Sequence, residues 1–249
     1  MVNLALAWAE EYVKTNSTVE ISVSGGGSGT GIKALQDKTL DIANVSRAMS
    51  ADEIKNAQAN GVNPFQIVVA RDAIAVIVNP SNPVTDLTLQ QVSDIFSGKI
   101  SNWRDVGGEN RPIVKVSREV NSGTHLFFRD AVIRLGRKDD KTIFTADTLL
   151  LPSSEGITSE VSQNPNAIGY DGLGYITSAV KKIRLAKDPA SPFVEPSKET
   201  VLDGTYPIWR DLYMYTNGEP TGLVKTYLDW ILGAKGQDIV GKKGFVPII

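Results

Sequence analysis

The sequence predicts an α/β protein of two lobes joined by two crossing strands, with a cleft between the lobes. Three observations predict it. Strand-patterned segments alternate with helix-patterned ones along nearly the whole chain. The length, 249 residues, is long for one compact core and fits two lobes of roughly 100–150 residues each. Two long strand runs, residues 74–78 and 209–215, lie beside prolines (Pro80 and Pro83 after the first, Pro207 before the second), where the chain would pass between lobes. The expected division is residues 1–77 with 209–249 in lobe 1, and 78–208 in lobe 2.

The elements follow in order. Leu4, Trp8 and Tyr12 recur every four residues, with Glu10, Glu11 and Lys14 largely off that stripe, so the chain opens on an amphipathic helix. Residues 19–23 alternate apolar and polar, which predicts a strand. It runs into a glycine-rich loop, residues 25–31, then a short helix over 32–36 and a strand over 41–45. Ser50 and Glu53 form a capping box that opens a helix ending near Asn60. The β-branched runs at 67–69 and 74–78 suit buried strands. Thr88 and Gln91 make a second capping box, whose helix stops at Gly98. A strand over 113–116, a helix over 122–135 ended by Gly136, and a helix near Ser159 come next. Strands at 167–170, near Ile183 and at 209–215, and a helix over 223–232, complete the pattern. The alternation predicts mostly parallel sheets.

Composition removes whole classes of function. There is no cysteine and one histidine, His125, so disulfides, thiolate metal sites, Cys nucleophiles and His-rich metal sites are all excluded. A net charge of −2 provides no basic field to recruit nucleic acid. No apolar run approaches the roughly 20 residues of a spanning helix. A phosphatase needs a nucleophile with a base, or clustered metal ligands, and neither pattern is present. No catalytic residue, metal or cofactor is therefore expected.

The loops carry the chemistry. Residues 25–31 hold five glycines in seven positions, between a strand and a helix. Glycine admits positive φ and close backbone approach, and the helix start presents unpaired N–H groups. With Ser28, Gly29 and Thr30 this makes an anion cradle. The segment also fits a dinucleotide-type G-x-G-x-x-A pattern, a weak match on its own, and fails as a P-loop because Ile32 stands where the lysine is required. A second loop, residues 118–124, again lies between strand and helix. It has Ser122, Gly123 and Thr124, with Arg118 able to bind an oxyanion through two N–H groups. Two such cradles in different halves of the chain suggest one anion held from both sides. Ser46 and Arg47 end a strand, where ligands sit in open α/β sheets.

The segments GGGSGTGIKAL, DIANVSRAMS, LTLQQVSDIFSGKISNWRDVGG, SREVNSGTHLFF, AIGYDGLGYI and YPIWRDLYMYT resemble the phosphate-binding proteins of phosphate ABC importers, over nearly the whole chain. The resemblance implies a periplasmic-binding-protein-like fold (type II) that closes around phosphate. It implies anion contacts at Ser28 and its loop, at Ser46 and Arg47 as in the family's short Ser-Arg form, and at Arg118, Ser122, Gly123 and Thr124. It further implies inorganic phosphate as ligand, a membrane permease as partner, a monomer, and an extracytoplasmic location, in the periplasm or on a lipid-anchored cell surface, with the export segment not part of this chain.

Two departures accompany it. The family's opening strand and Gly-Ser-Thr loop precede the helix that opens here, so the chain is expected to be a piece of a longer protein or to have that gap filled from elsewhere. Some relatives also carry an aspartate in place of Arg47, an acceptor for the phosphate O–H that disfavours sulfate. Glu119 and Asp171 are the remaining acceptor candidates, with Glu119 the expected clamp on Arg118. His125 is expected to pack rather than to touch the anion. Another tetrahedral oxyanion, sulfate or molybdate, and a non-transport phosphate sensor remain the alternative readings.

Overall fold

The computed structural model describes residues 1–249. In chain order the elements are α1 (Val2–Thr15), α2 (Ser28–Gln36), β1 (Ala43–Val45), α3 (Ala51–Ala59), β2 (Pro64–Val78), β3 (Asp86–Thr88), α4 (Leu89–Phe96), β4 (Val114–Arg118), α5 (Gly123–Phe128), β5 (Leu149–Leu151), α6 (Ser154–Gln163), β6 (Ala167–Gly172), β7 (Lys181–Lys182), β8 (Arg184–Ala186), α7 (Lys198–Leu202), β9 (Trp209–Asn217), α8 (Gly222–Leu232) and α9 (Ala234–Lys242). No helix is long and apolar enough to cross a membrane.

Local signals place the helix starts. Ser50 accepts from the Glu53 N–H while Glu53 accepts from the Ser50 N–H, and Thr88 and Gln91 do the same at α4. Each box satisfies two helix-end donors that would otherwise lack partners. Beyond α5 the helix widens into a π turn, Arg129–Ile133, and the chain leaves it through Leu135 and Gly136, both at positive φ.

The chain divides into two compact units. The first comprises Met1–Arg71, Asn121–Gly123 and Arg210–Ile249, and the second Asp72–Val120 and Thr124–Trp209. The divisions fall inside β2 and at the start of β9, whereas the sequence reading put them at 77/78 and 208/209. The reason lies in β2, a single strand of fifteen residues that runs through the division between Arg71 and Asp72. Its residues 74–78 pair with β6 of the second unit. The turn after it, expected to be a crossing, belongs wholly to the second unit. There Asn79 caps it, donating to the Val161 and Ser162 carbonyls and accepting from the Ser81 N–H.

In the first unit β1 pairs antiparallel with β9, Asn44 opposite Met214, and β9 neighbours β2. Ile32, Leu35, Ala43, Val45, Met49, Ala57, Val62 and Tyr215 form a core that packs α2 and α3 on these strands. In the second unit β2 is antiparallel to β6 and β7, and β6, β4 and β5 are parallel. A core of Ala75, Ile77, Val116, Ile157, Val161, Ala167 and Val180 lies there. The expectation of mostly parallel sheets is thus corrected to mixed ones. Parallel pairing holds where the chain crosses over through α5 and α6, and for the small β3–β8 pair.

One predicted strand does not form. Residues 19–23 have the burial alternation of a strand, with Val19, Ile21 and Val23 half-buried and Glu20 and Ser22 exposed, but they join no ladder. Side-chain pattern selects the face; only a neighbouring strand supplies the hydrogen bonds.

Candidate functional site

The glycine-rich loop is shaped first by another piece of chain. Gly27 sits at φ 86 as the cap of α2, and a Cβ there would stand 3.0 Å from the Asn121 carbonyl oxygen. That oxygen accepts the Gly29 N–H at 3.1 Å, and the Asn121 side chain donates to the Gly26 carbonyl at 3.2 Å. The glycines let the backbone of residue 121 approach. Two expected anion donors are therefore committed to the protein. The Gly29 N–H faces Asn121, and the exposed Thr30 hydroxyl donates to the Gly26 carbonyl at 2.6 Å.

Three segments then meet within the first unit: the start of α2, the end of β1 and the start of α5. Ser28 is buried at the first, and its Oγ accepts the Ser46 N–H at 3.0 Å and lies 3.2 Å from Ser46 Oγ. Gly123 lies against both hydroxyls. A Cβ there would be 2.3 Å from Ser28 Oγ and 2.7 Å from Ser46 Oγ, so only glycine fits. The two serines bring two hydroxyl protons, and the bond between them uses one. The other is left to donate elsewhere. Ser122, next in chain, is also buried.

Arg47, on the residue after Ser46, is held in a two-pronged ion pair. Nη1 and Nη2 each donate to Glu53 at 2.7 Å, and Nη1 also reaches the Ala48 carbonyl at 3.0 Å. The Nε–H is buried with no hydrogen-bond partner. Burial pushes the Glu53 carboxyl up, but the bonds from Arg47 and Ser50 outweigh it and leave the group below its ordinary value. The same Glu53 closes the α3 capping box, so one carboxylate serves helix start and arginine together.

Within the second unit Arg118 is gripped mainly by neutral groups. Nη1 donates to Ser154 Oγ at 2.7 Å and Nη2 to the Pro152 carbonyl at 3.0 Å. Its Nε–H, like that of Arg47, is buried without a partner. The carboxylate beside it is Asp171, 1% exposed, with Oδ2 3.8 Å from Nη1. Glu119, expected as the clamp, is exposed, and its N–H ties the loop to the Leu151 carbonyl. The sequence reading chose the neighbour in sequence; β6 carries the neighbour in space. Ser154 and Pro152 were missed for the same reason, since nothing local to residue 118 marks them. Thr124 is buried in this unit, and so is His125, which stacks on Phe144 with centroids 4.3 Å apart. Burial holds its imidazole below the ordinary range.

Comparison with known proteins adds to this geometry. A family model described as a PBP superfamily domain matches residues 2–235. The phosphate-binding protein PstS of Pseudomonas aeruginosa is 34% identical over 265 residues, which cover 100% of this chain and 80% of that protein. PstS of Bacillus subtilis is 33% identical over 249 residues, 100% of this chain and 78% of that protein. Among solved structures, a Clostridium perfringens protein described as a phosphate ABC transporter substrate-binding protein, with bound phosphate, aligns with a TM-score of 0.88 at 32% identity. The alignment covers 100% of this chain and 96% of that one. An ABC-type phosphate transport receptor from Vibrio cholerae aligns with a TM-score of 0.77 at 26% identity, over 98% of this chain and 95% of that one.

Proposed function

This chain belongs to the PBP superfamily, and from that premise we propose that it binds inorganic phosphate and delivers it to a membrane permease for import. The observation that carries the reading is Gly123 lying against the Ser28 and Ser46 hydroxyls, at the start of a helix and five residues after Arg118. A tetrahedral oxyanion needs several short donors and a compensating charge. Two hydroxyls beside helix starts, backbone N–H groups and a guanidinium with a buried unpartnered Nε–H supply them. Ser28, Ser46, Ser122, Gly123, Thr124 and Arg118 are the proposed contacts, and Arg47 contributes through its Nε–H. Nothing in the set acts as a nucleophile paired with a base, so the role is binding without turnover. The protein works outside the cytoplasm, where a permease receives the anion.

A second reading, another tetrahedral oxyanion such as sulfate, is favoured by one observation. Arg47 occupies the position beside Ser46, and its charge is answered by Glu53 rather than by a carboxylate aimed at a ligand O–H. Calorimetric titration with phosphate, repeated in excess sulfate, separates the two. Saturable heat with phosphate that survives sulfate is the expected result. Loss of the signal in sulfate selects the second reading, and no heat with phosphate overturns the first.

A further inference from the structure

The 118–124 segment is tied at its base by a hydrogen-bonded cluster of second-unit residues. Ser117 is the penultimate residue of β4, and His125 lies in the first turn of α5. Ser117 Oγ is 3.0 Å from His125 Nδ1, and 2.6 Å from the Tyr170 hydroxyl on β6. It also donates to the Arg118 carbonyl at 3.2 Å. Ser117 and His125 are both buried. The Tyr170 ring is fixed in turn, stacked on Phe128 with centroids 3.6 Å apart and planes within 5°.

Counting protons assigns the donors. A carbonyl only accepts, so the single Ser117 hydroxyl proton must point to the Arg118 oxygen. Ser117 Oγ then has two lone pairs left, and both neighbours must donate into them: Tyr170 through its O–H, and His125 through Nδ1–H. With the Ser117 proton on the Arg118 oxygen, this arrangement satisfies all three contacts. The imidazole is therefore fixed as the Nδ1–H form, and the Arg118 carbonyl beside the ring favours a ring N–H in the same direction.

We infer that Ser117, His125 and Tyr170 form a clasp that positions the 118–124 loop, with His125 as a positioning residue in the Nδ1–H tautomer. This rests on the phosphate reading for its purpose, but its geometry does not depend on it. The four residues between β4 and α5, 119–122, have many conformers, and a bond between Ser117 and His125 on either side removes most of them before any ligand arrives. The second anchor, on β6, aligns the clasp with the strand that also carries Asp171 beside Arg118.

Three readouts on the whole chain test it. As the only histidine, His125 gives one set of imidazole nitrogen resonances; a protonated Nδ1 and an unprotonated Nε2 at neutral pH are expected, and the reverse tautomer overturns the assignment. Amides 119–124 of the ligand-free protein should exchange about tenfold faster in Ser117→Ala and in His125→Leu, as for loss of one net hydrogen bond. Unchanged exchange overturns the clasp. Phosphate affinity should fall about tenfold in both variants, the same bond lost. His125→Asn, whose side-chain N–H stands near the place of Nδ1–H, should recover most of it. Equal affinity in wild type and variants, or no difference between Asn and Leu, overturns the positioning role. Tyr170→Phe keeps the stacked ring, so it carries the exchange and affinity tests should His125→Leu fail to fold. Were the wild type to bind no phosphate, that reading alone would fall, and tautomer and exchange would still decide the clasp.

Discussion

Arg47 and Arg118 look alike in sequence, each one residue past a serine in a strand or at its end, yet the two regions treat them oppositely. Arg47 donates through both Nη groups to one carboxylate at 2.7 Å, while Arg118 donates to a hydroxyl at 2.7 Å and a carbonyl at 3.0 Å, with its nearest carboxylate at 3.8 Å. The first guanidinium is neutralised at short range; the second is held in place with more of its charge uncompensated. A partly buried charge oriented by neutral dipoles is arranged to attract an anion, whereas one locked to a carboxylate mainly braces structure. The difference teaches that position beside a serine does not make an arginine a ligand; what its other nitrogens hold decides.

The largest expected effect breaks the Arg118 side. Arg118→Ala removes the proposed charge-assisted bond, worth about 1.5–3 kcal/mol, and should weaken phosphate binding by about 10- to 150-fold. Arg47→Gln should weaken it several-fold less. Calorimetry on both variants reads the ratio, and equal losses would abolish the distinction. Next in size is Gly123→Ala. Its Cβ would stand 2.3 Å from Ser28 Oγ, so the serines or the helix start must shift. Overpacking of this kind costs about 1–3 kcal/mol, and phosphate affinity should fall by about tenfold or more. An alanine variant with native affinity and melting temperature would show that the three segments do not form one site.

Much of this was legible in the sequence where the cause was local. The Ser50–Glu53 and Thr88–Gln91 boxes were readable because both partners of each bond lie within one helical turn. Gly123 and Ser28 were readable as chemistry, but their contact was not, being 95 residues apart in sequence. Residues 19–23 show the converse: the alternation was correct and the strand absent, because a ladder depends on a neighbour the pattern does not encode. Helix α9 was not anticipated, and it carries two glycines, Gly236 and Gly241, that lower its intrinsic helix propensity. In the fold Gly236 lets α9 pack hard against α8, with a Cβ position 2.2 Å from the Ile231 carbonyl oxygen, and its own carbonyl accepts the Trp8 Nε1–H. Glu119 was expected to clamp Arg118 because it is adjacent in sequence, which is a poor guide to the carboxylate that β6 brings near in space.

A third prediction sharpens the Arg47 side. Glu53→Gln keeps a side chain able to close the capping box but removes the negative charge that faces Arg47. Stability should fall by about 1.5–3 kcal/mol at neutral pH, the value of a hydrogen bond to a charged group. The pH dependence follows from the sign. The Glu53 carboxyl is below its ordinary value of 4.5 in the fold, so the unfolded chain binds the proton first as pH falls. Its contribution is therefore complete above that ordinary value and lost as pH drops through the folded one. Wild type should lose melting temperature over this acid window more steeply than the Gln variant. Parallel curves would mean that Glu53 is not the brace.

The smallest expected effect tests the glycine-rich loop. Sequence logic makes Thr30 an anion donor, but its hydroxyl donates to the Gly26 carbonyl at 2.6 Å on an exposed turn. Removing an exposed hydroxyl whose acceptor can turn to water costs little, about 0.5 kcal/mol or less. Thr30→Ala should therefore change phosphate affinity by less than about threefold, a change of roughly 0.6 kcal/mol. Ser28→Ala, in the same helix turn but buried against Ser46, should exceed it clearly, since that hydroxyl accepts the Ser46 N–H and one proton of the serine pair is free to donate. If Thr30→Ala matched Ser28→Ala, the exposed face of the loop would be the binding face, and the site would have to move away from Gly123 and toward the glycines that now receive Asn121.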